Sequence, residues 1–117
     1  MNEAIAIIRW IPAERGGRRQ PPAPAGGYST LSRFESDPRT SGIDWSLVIV
    51  DAVPLGSDAC VRATVRFLVP EAPHEWLRDG ERFELLEGRK VVAKGVVIPQ
   101  TVPVPTAVTE FDLALLG

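Results

Sequence analysis

The residues that could do chemistry in this chain are few and far apart. The sequence has one histidine, His74, and one cysteine, Cys60. Nucleophilic catalysis needs a nucleophile held beside an oriented base, and zinc needs several nitrogen, sulfur or oxygen ligands. No spacing here suggests either arrangement. We therefore expect His74 to be a solvated loop residue, Cys60 to be a small packing residue, and the protein to be neither an enzyme nor a metal protein.

The sequence gives equally little support for a nucleotide-binding site or an acyl-transfer site. The glycines do not form a phosphate loop, because no lysine–serine pair follows them and no helical pattern opens there. The serines lack the pattern of a nucleophile elbow. We therefore expect no cofactor and no bound GTP. The clustered carboxylates are expected to form a solvated rim; they are Glu71, Glu75, Asp79, Glu81, Glu84 and Glu87.

Arginines provide one candidate binding surface. Arg15, Arg18 and Arg19 lie close together in sequence, and Arg62 and Arg66 share one face of an alternating segment. Guanidinium groups suit phosphate or carboxylate partners. The other interpretation is an ordinary solvated loop and strand face, because a net charge of -2 gives no bulk attraction to nucleic acid or anionic membrane.

The elements that must position these residues are strands. In residues 80–98, Phe83 and Leu85 alternate with charged residues, and a valine-rich segment follows a short turn at residues 87–89. Gly88 offers the positive φ that such a turn needs. Gly95, inside the second arm, predicts a bulge or a close backbone approach.

Four further segments complete a set of six strands: residues 2–11, 28–34, 45–53 and 59–69. In the last of these, Val65 and Phe67 belong to a row that ends at Val69 and is expected to be buried. Residues 54–58 read as a turn, and residues 71–77 as one short helical turn. The sequence predicts an all-β fold, a small closed six-stranded antiparallel barrel that closes its own edges. A β-sandwich is the alternative.

Length and composition indicate one soluble domain. The chain has 117 residues, of which 44% are hydrophobic and 24% charged. No apolar run approaches a membrane span, and the start of the chain lacks the pattern of a signal peptide. We expect a cytoplasmic protein that does not contact a membrane.

Two motifs, one near each end of the segment 3–98, occur in the order of a known domain. The first is a loop that leads into a strand: Glu14, Gly16, Gly17, Arg18, Arg19, Pro21, Gly27 and Tyr28. The second is the hairpin: Gly80, Phe83, Leu85, Glu87, Gly88, Lys90, Val92, Gly95, Val96 and Val97. Together they resemble the third, C-terminal β-barrel domain of elongation factor Tu and related translational GTPases. The resemblance implies a Greek-key barrel.

The resemblance also implies a function. In elongation factor Tu this domain helps to hold the T-stem of aminoacyl-tRNA and touches the exchange factor and the GTPase domain, and Glu87 and Gly88 match its tRNA contact. We expect a non-catalytic binding module that engages a protein partner, or alternatively an RNA module of the tRNA-binding type. The candidate contact residues are Arg18, Arg19, Tyr28, Arg62, Arg66, Glu87 and Gly88.

Residues 99–117 extend past the point where the resemblance ends, so the expected division is a barrel of residues 1–98 and a C-terminal tail. Phe111, Leu113 and Leu115 alternate with polar or small residues, as in a strand, although Thr109 could cap a helical turn. These side chains are too apolar to stay in water. The tail is expected to pack on the barrel or on a second copy in a homodimer.

Overall fold

Segments rich in β-branched and aromatic residues form the strands of this protein. The computed structural model describes residues 3–12, 28–38, 44–56 and 59–99. Within these ranges the strands are β1 (Ala4–Trp10), β2 (Tyr28–Phe34), β3 (Trp45–Leu55), β4 (Cys60–Phe67), β5 (Arg82–Glu87) and β6 (Lys90–Ile98). A single 3₁₀ turn, His74–Trp76, lies between β4 and β5 in the described chain. It falls inside the segment where a short helical turn was predicted.

The six strands close into a barrel in the order β1-β4-β3-β2-β5-β6, with β6 paired to β1. Every neighbouring pair is antiparallel. Strands β2, β3 and β4 follow one another, whereas β1 lies between β4 and β6, which is a Greek-key arrangement. The prediction of a closed six-stranded antiparallel barrel is confirmed, and the sandwich alternative is wrong.

The side chains that fill the interior are those predicted to be buried from the alternation of apolar and polar residues. Val65 and Leu85 are fully buried, and Phe67 and Phe83 are 2% and 3% exposed. Phe34 stacks on Phe83 with ring centroids 5.0 Å apart and lies against Phe67 at 5.2 Å. Each such ring stabilises the fold by roughly 1.5–3 kcal/mol relative to an exposed one. The predicted core positions are confirmed.

Gly95 is a point of close approach. A Cβ built on it would lie 2.3 Å from Cζ of Phe83, so only glycine lets this ring reach the strand. The close-approach interpretation is therefore confirmed. The hairpin does contain a bulge, but it lies at Val92, where the register shifts between Leu85 and Leu86 on β5. At Gly88 the backbone φ is 64°, as the turn requires.

Two predicted boundaries are wrong. Pro54 was placed in a turn, yet it lies in β3 and pairs with Val61. Among the described residues β2 pairs with β3 only from Trp45 to Ile49, so a proline at position 54 removes no ladder hydrogen bond on that side. Val69 was assigned to the buried row, but β4 ends at Phe67 and Val69 is 37% exposed.

Candidate functional site

The structure separates the predicted contact residues into two groups. Tyr28, Glu87 and the exposed Gly88 lie together at one mouth of the barrel, where β2 begins and β5 turns into β6. Arg62 and Arg66 lie on the outer wall, on β4, with half-buried side chains. Arg18 and Arg19 lie outside the described residues.

The mouth is held by a side-chain tie between two strands. The Tyr28 hydroxyl donates a 2.6 Å hydrogen bond to Oε2 of Glu87. Beside it, the Thr30 hydroxyl donates to the carbonyl of Leu86. The edge of Trp10 meets the Tyr28 ring at a centroid distance of 5.7 Å. These contacts fix β2 against β5, so Tyr28 and Glu87, two of the predicted contact residues, have a structural role.

The outer wall carries an excess of positive charge. Alternation along the strands turns six cationic and two acidic side chains outward: Arg9, Arg33, Arg62, Arg66, Arg82 and Lys94 against Asp51 and Glu84. Arg33 forms an ion pair with Asp44 at 3.4 Å. The wall can therefore attract carboxylates or phosphates although the whole chain has a net charge of -2.

An apolar row on this wall was not predicted from the sequence. Leu31 on β2 pairs with Leu86 on β5 and with Ser46 on β3, and all three side chains point outward. Leu86 pairs in turn with Val91. The amide of Leu68 donates to the Ser46 carbonyl at 2.9 Å and continues the row past the end of β4. We call these five residues, four of them apolar and one the polar Ser46, the β2 band.

The β2 band is largely open to solvent at its centre and at one end. Leu31 is 37% exposed and Leu68 is 50% exposed, while Leu86 between Leu31 and Val91 is buried. Leu31 and Leu86 are direct neighbours and form an apolar surface across two strands, and the exposed Leu68 lies beyond Ser46 in the same row. The one signal in the sequence is the position of Leu31 in β2. The inward residues of this strand have even numbers, so alternation places the odd-numbered Leu31 on the outer face.

One predicted rim carboxylate is buried. Glu81 is 5% exposed, and its oxygens accept hydrogen bonds from the Ser36 amide at 2.7 Å and the Ser36 hydroxyl at 2.6 Å. Arg78 approaches Oε1 of Glu81 at 3.5 Å and donates to the Ser36 hydroxyl at 2.7 Å. The expectation that Glu81 is solvated is wrong, because these donors replace water around the carboxylate.

His74 is also more enclosed than the sequence indicated. Its Nε2 lies 2.8 Å from the carbonyl oxygen of Pro70, and its ring meets Phe67 edge-on at a centroid distance of 5.9 Å. The side chain is half-buried. The ring braces the connection between β4 and β5. Among the contacts described, His74 touches neither a carboxylate nor a nucleophilic side chain.

Other site classes find no support in the described part of the chain. No group of three or more His, Cys, Asp or Glu residues there could hold a metal ion. None of the helical segments in the described ranges is long and apolar enough to cross a membrane. No family model and no curated protein matches the chain. The relation to the third domain of elongation factor Tu therefore stays a prediction.

Proposed function

We propose that this protein is a non-catalytic binding module whose β2 band receives a protein partner. The observation that carries the proposal is the row across the outer wall that exposes Leu31 at its centre and Leu68 at one end. Exposed apolar patches on soluble proteins mark interaction surfaces, because burying them stabilises a complex. The resemblance to a translation-factor barrel, a domain whose role is to touch other macromolecules, supports the same class.

The borders of the β2 band indicate the chemistry of the partner. Arg66 lies two positions before Leu68 and so shares its face of the sheet, and Arg33 lies two positions after Leu31. Arg33 already pairs with Asp44, whereas Arg66 donates only a 3.4 Å hydrogen bond to the Phe67 carbonyl among the contacts described. A partner segment with leucine-sized anchors beside a carboxylate fits this surface.

The test compares charge-introducing variants at three exposed apolar positions. Leu31→Glu and Leu68→Glu change the β2 band, and Val53→Glu changes a site outside it that is 53% exposed. The wild-type chain is used to capture partners from a nuclease-treated lysate of the native host. Affinity for each captured protein is then measured with purified components, after circular dichroism has shown that all three variants fold.

The proposal requires a partner whose affinity falls by about 30-fold or more with Leu31→Glu or Leu68→Glu, as loss of a central anchor does. The same partner must bind Val53→Glu like the wild type. Equal binding by all variants, or no partner, would overturn the proposal. If RNA is captured without nuclease, and its binding weakens steeply with salt and with Arg62→Ala and Arg66→Ala, the RNA alternative replaces it.

A further inference from the structure

A second apolar row crosses the opposite side of the barrel. Strands β1 and β2 are three places apart in the closed order, so they occupy opposite walls. On the β1 side a cluster separate from the interior core runs obliquely over four strands. Its members are Leu55, Cys60, Ile7, Val96 and Ile98, and we call it the β1 stripe.

The side chains of the β1 stripe point away from the interior. Ile7 lies between the inward-facing Ala6 and Ile8, and its paired neighbours are Arg62 and Val96, which are also outward. In the same way Leu55 pairs with Cys60 on the outer face. The stripe is therefore part of the outer surface of the barrel wall and not of its core.

These outward side chains are nevertheless buried. Ile7 and Val96 are each 1% exposed, and Cys60 is 2% exposed. Beside them, Nε of Arg62 is buried and has no hydrogen-bond partner among the described residues. In the described ranges, every strand belongs to the wall, and Trp76 of the 3₁₀ turn packs against the interior cluster. In the β2 band the one buried outward leucine, Leu86, lies beside an exposed one, whereas all four core members of the β1 stripe are at most 3% exposed. Burial of a whole outward row indicates a further layer over the stripe.

We propose that the C-terminal segment, residues 107–117, docks on the β1 stripe of its own barrel. Strand β6 ends at Ile98, which packs against the stripe, so the chain leaves the wall beside this surface. The eighteen residues that follow Pro99 can span up to about 60 Å when extended, more than the 37 Å length of the molecule. Phe111, Leu113 and Leu115 supply alternating apolar anchors.

Charge complementarity favours this occupant. The stripe is flanked in register by Arg62 on one side and Arg82 on the other, since these residues pair with Ile7 and Val96. Residues 107–117 contain two acids, Glu110 and Asp112, and no base. Docking brings these carboxylates to a cationic border, where Arg62 has donor capacity to offer.

The single cysteine of the chain can be used to measure how well the β1 stripe is shielded from solvent. Cys60 lies in the stripe, so its reaction with a chromogenic disulfide reagent measures access to the surface. We compare the full chain with a chain ending at Gln100 and with the double variant Phe111→Ser, Leu113→Ser. The control, Val102→Ser with Val104→Ser, also replaces two apolar residues by serine, in the segment that leads to the anchors.

We expect both tail changes to speed the thiol reaction by about tenfold or more, because the wild-type thiol reacts only through local opening. The control should react like the wild type. Val96→Cys in a Cys60→Ala background repeats the measurement at the centre of the stripe. Circular dichroism identifies folded samples, and a peptide of residues 101–117 added to the truncated chain should restore protection.

Unchanged reactivity at both positions in folded, truncated protein would overturn the proposal. Protection that is lost on dilution, together with a doubled mass by light scattering, would also overturn it in favour of exchange of the segment between two copies.

Discussion

Adding one methyl group at Gly95 should destabilise the barrel by about 3 kcal/mol, the upper end of the usual cost of overpacking a core. In the Gly95→Ala variant the new Cβ would meet three ring atoms of Phe83, Cζ at 2.3 Å, Cε2 at 2.6 Å and Cε1 at 2.8 Å. The ring cannot withdraw freely, because Phe34 stacks against it with centroids 5.0 Å apart. Backbone strain does not contribute, since Gly95 is not among the positive-φ glycines.

A double-mutant cycle isolates this contact. Phe83→Leu removes three ring carbons and should cost up to about 2 kcal/mol at roughly 0.8 kcal/mol per buried carbon. Leucine lacks the ring atoms that the new methyl group meets, so Gly95→Ala should cost little in that background. The double variant should therefore lose about 2 kcal/mol rather than about 5, a coupling of about 3 kcal/mol.

The assay is urea unfolding followed by tryptophan fluorescence. Gly88→Ala is the control, because its Cβ would meet nothing within 4 Å while its φ of +64° strains any other residue. It should cost about 1–2 kcal/mol from backbone strain and add independently to Phe83→Leu. If Gly95→Ala is also additive with Phe83→Leu, the steric explanation is refuted.

Two further changes test the polar contacts described above. Glu81→Gln should lower the free energy of unfolding by about 1–3 kcal/mol, because the amide can no longer accept from both Ser36 donors and pair with Arg78. The control is Glu75→Gln at an exposed position, which should change the free energy of unfolding by no more than about 0.5 kcal/mol. Equal losses in the two variants would contradict the role of burial. Tyr28→Phe should cost about 1 kcal/mol in the same unfolding assay through loss of the bond to the Glu87 carboxylate, and an unchanged stability would show that this tie contributes nothing.

The sequence predicts the parts of this fold that depend on neighbours along one strand. Alternation placed Val65, Phe67 and Phe83 correctly, because a strand sends successive side chains to opposite faces whatever its partners are. The role of Gly95 was predictable for a similar reason, since a glycine inside a strand usually marks a bulge or a close approach of another group.

Features that depend on register between distant strands were missed. The burial of Glu81 requires Ser36, 45 positions away, and no local pattern shows that pairing. The β2 band joins Leu31, Leu68 and Leu86 only once β5, β2, β3 and β4 are aligned. Its three leucines are far apart in the sequence, so the predicted contact residues were instead arginines, Tyr28 and the turn at Glu87 and Gly88.

The position of β1 between β4 and β6 has a consequence for how the chain acquires its structure. Ile5 pairs with Thr64 on one side and with Ile98 on the other. Because β1 precedes both of its neighbours in the chain, it has no partner until β4 is made and only one until β6 follows. Pairing over such separations is slow, and an apolar strand waiting unpaired is open to association with other chains. The most apolar strand of the barrel is therefore the one separated by the longest stretch of chain from its last neighbour.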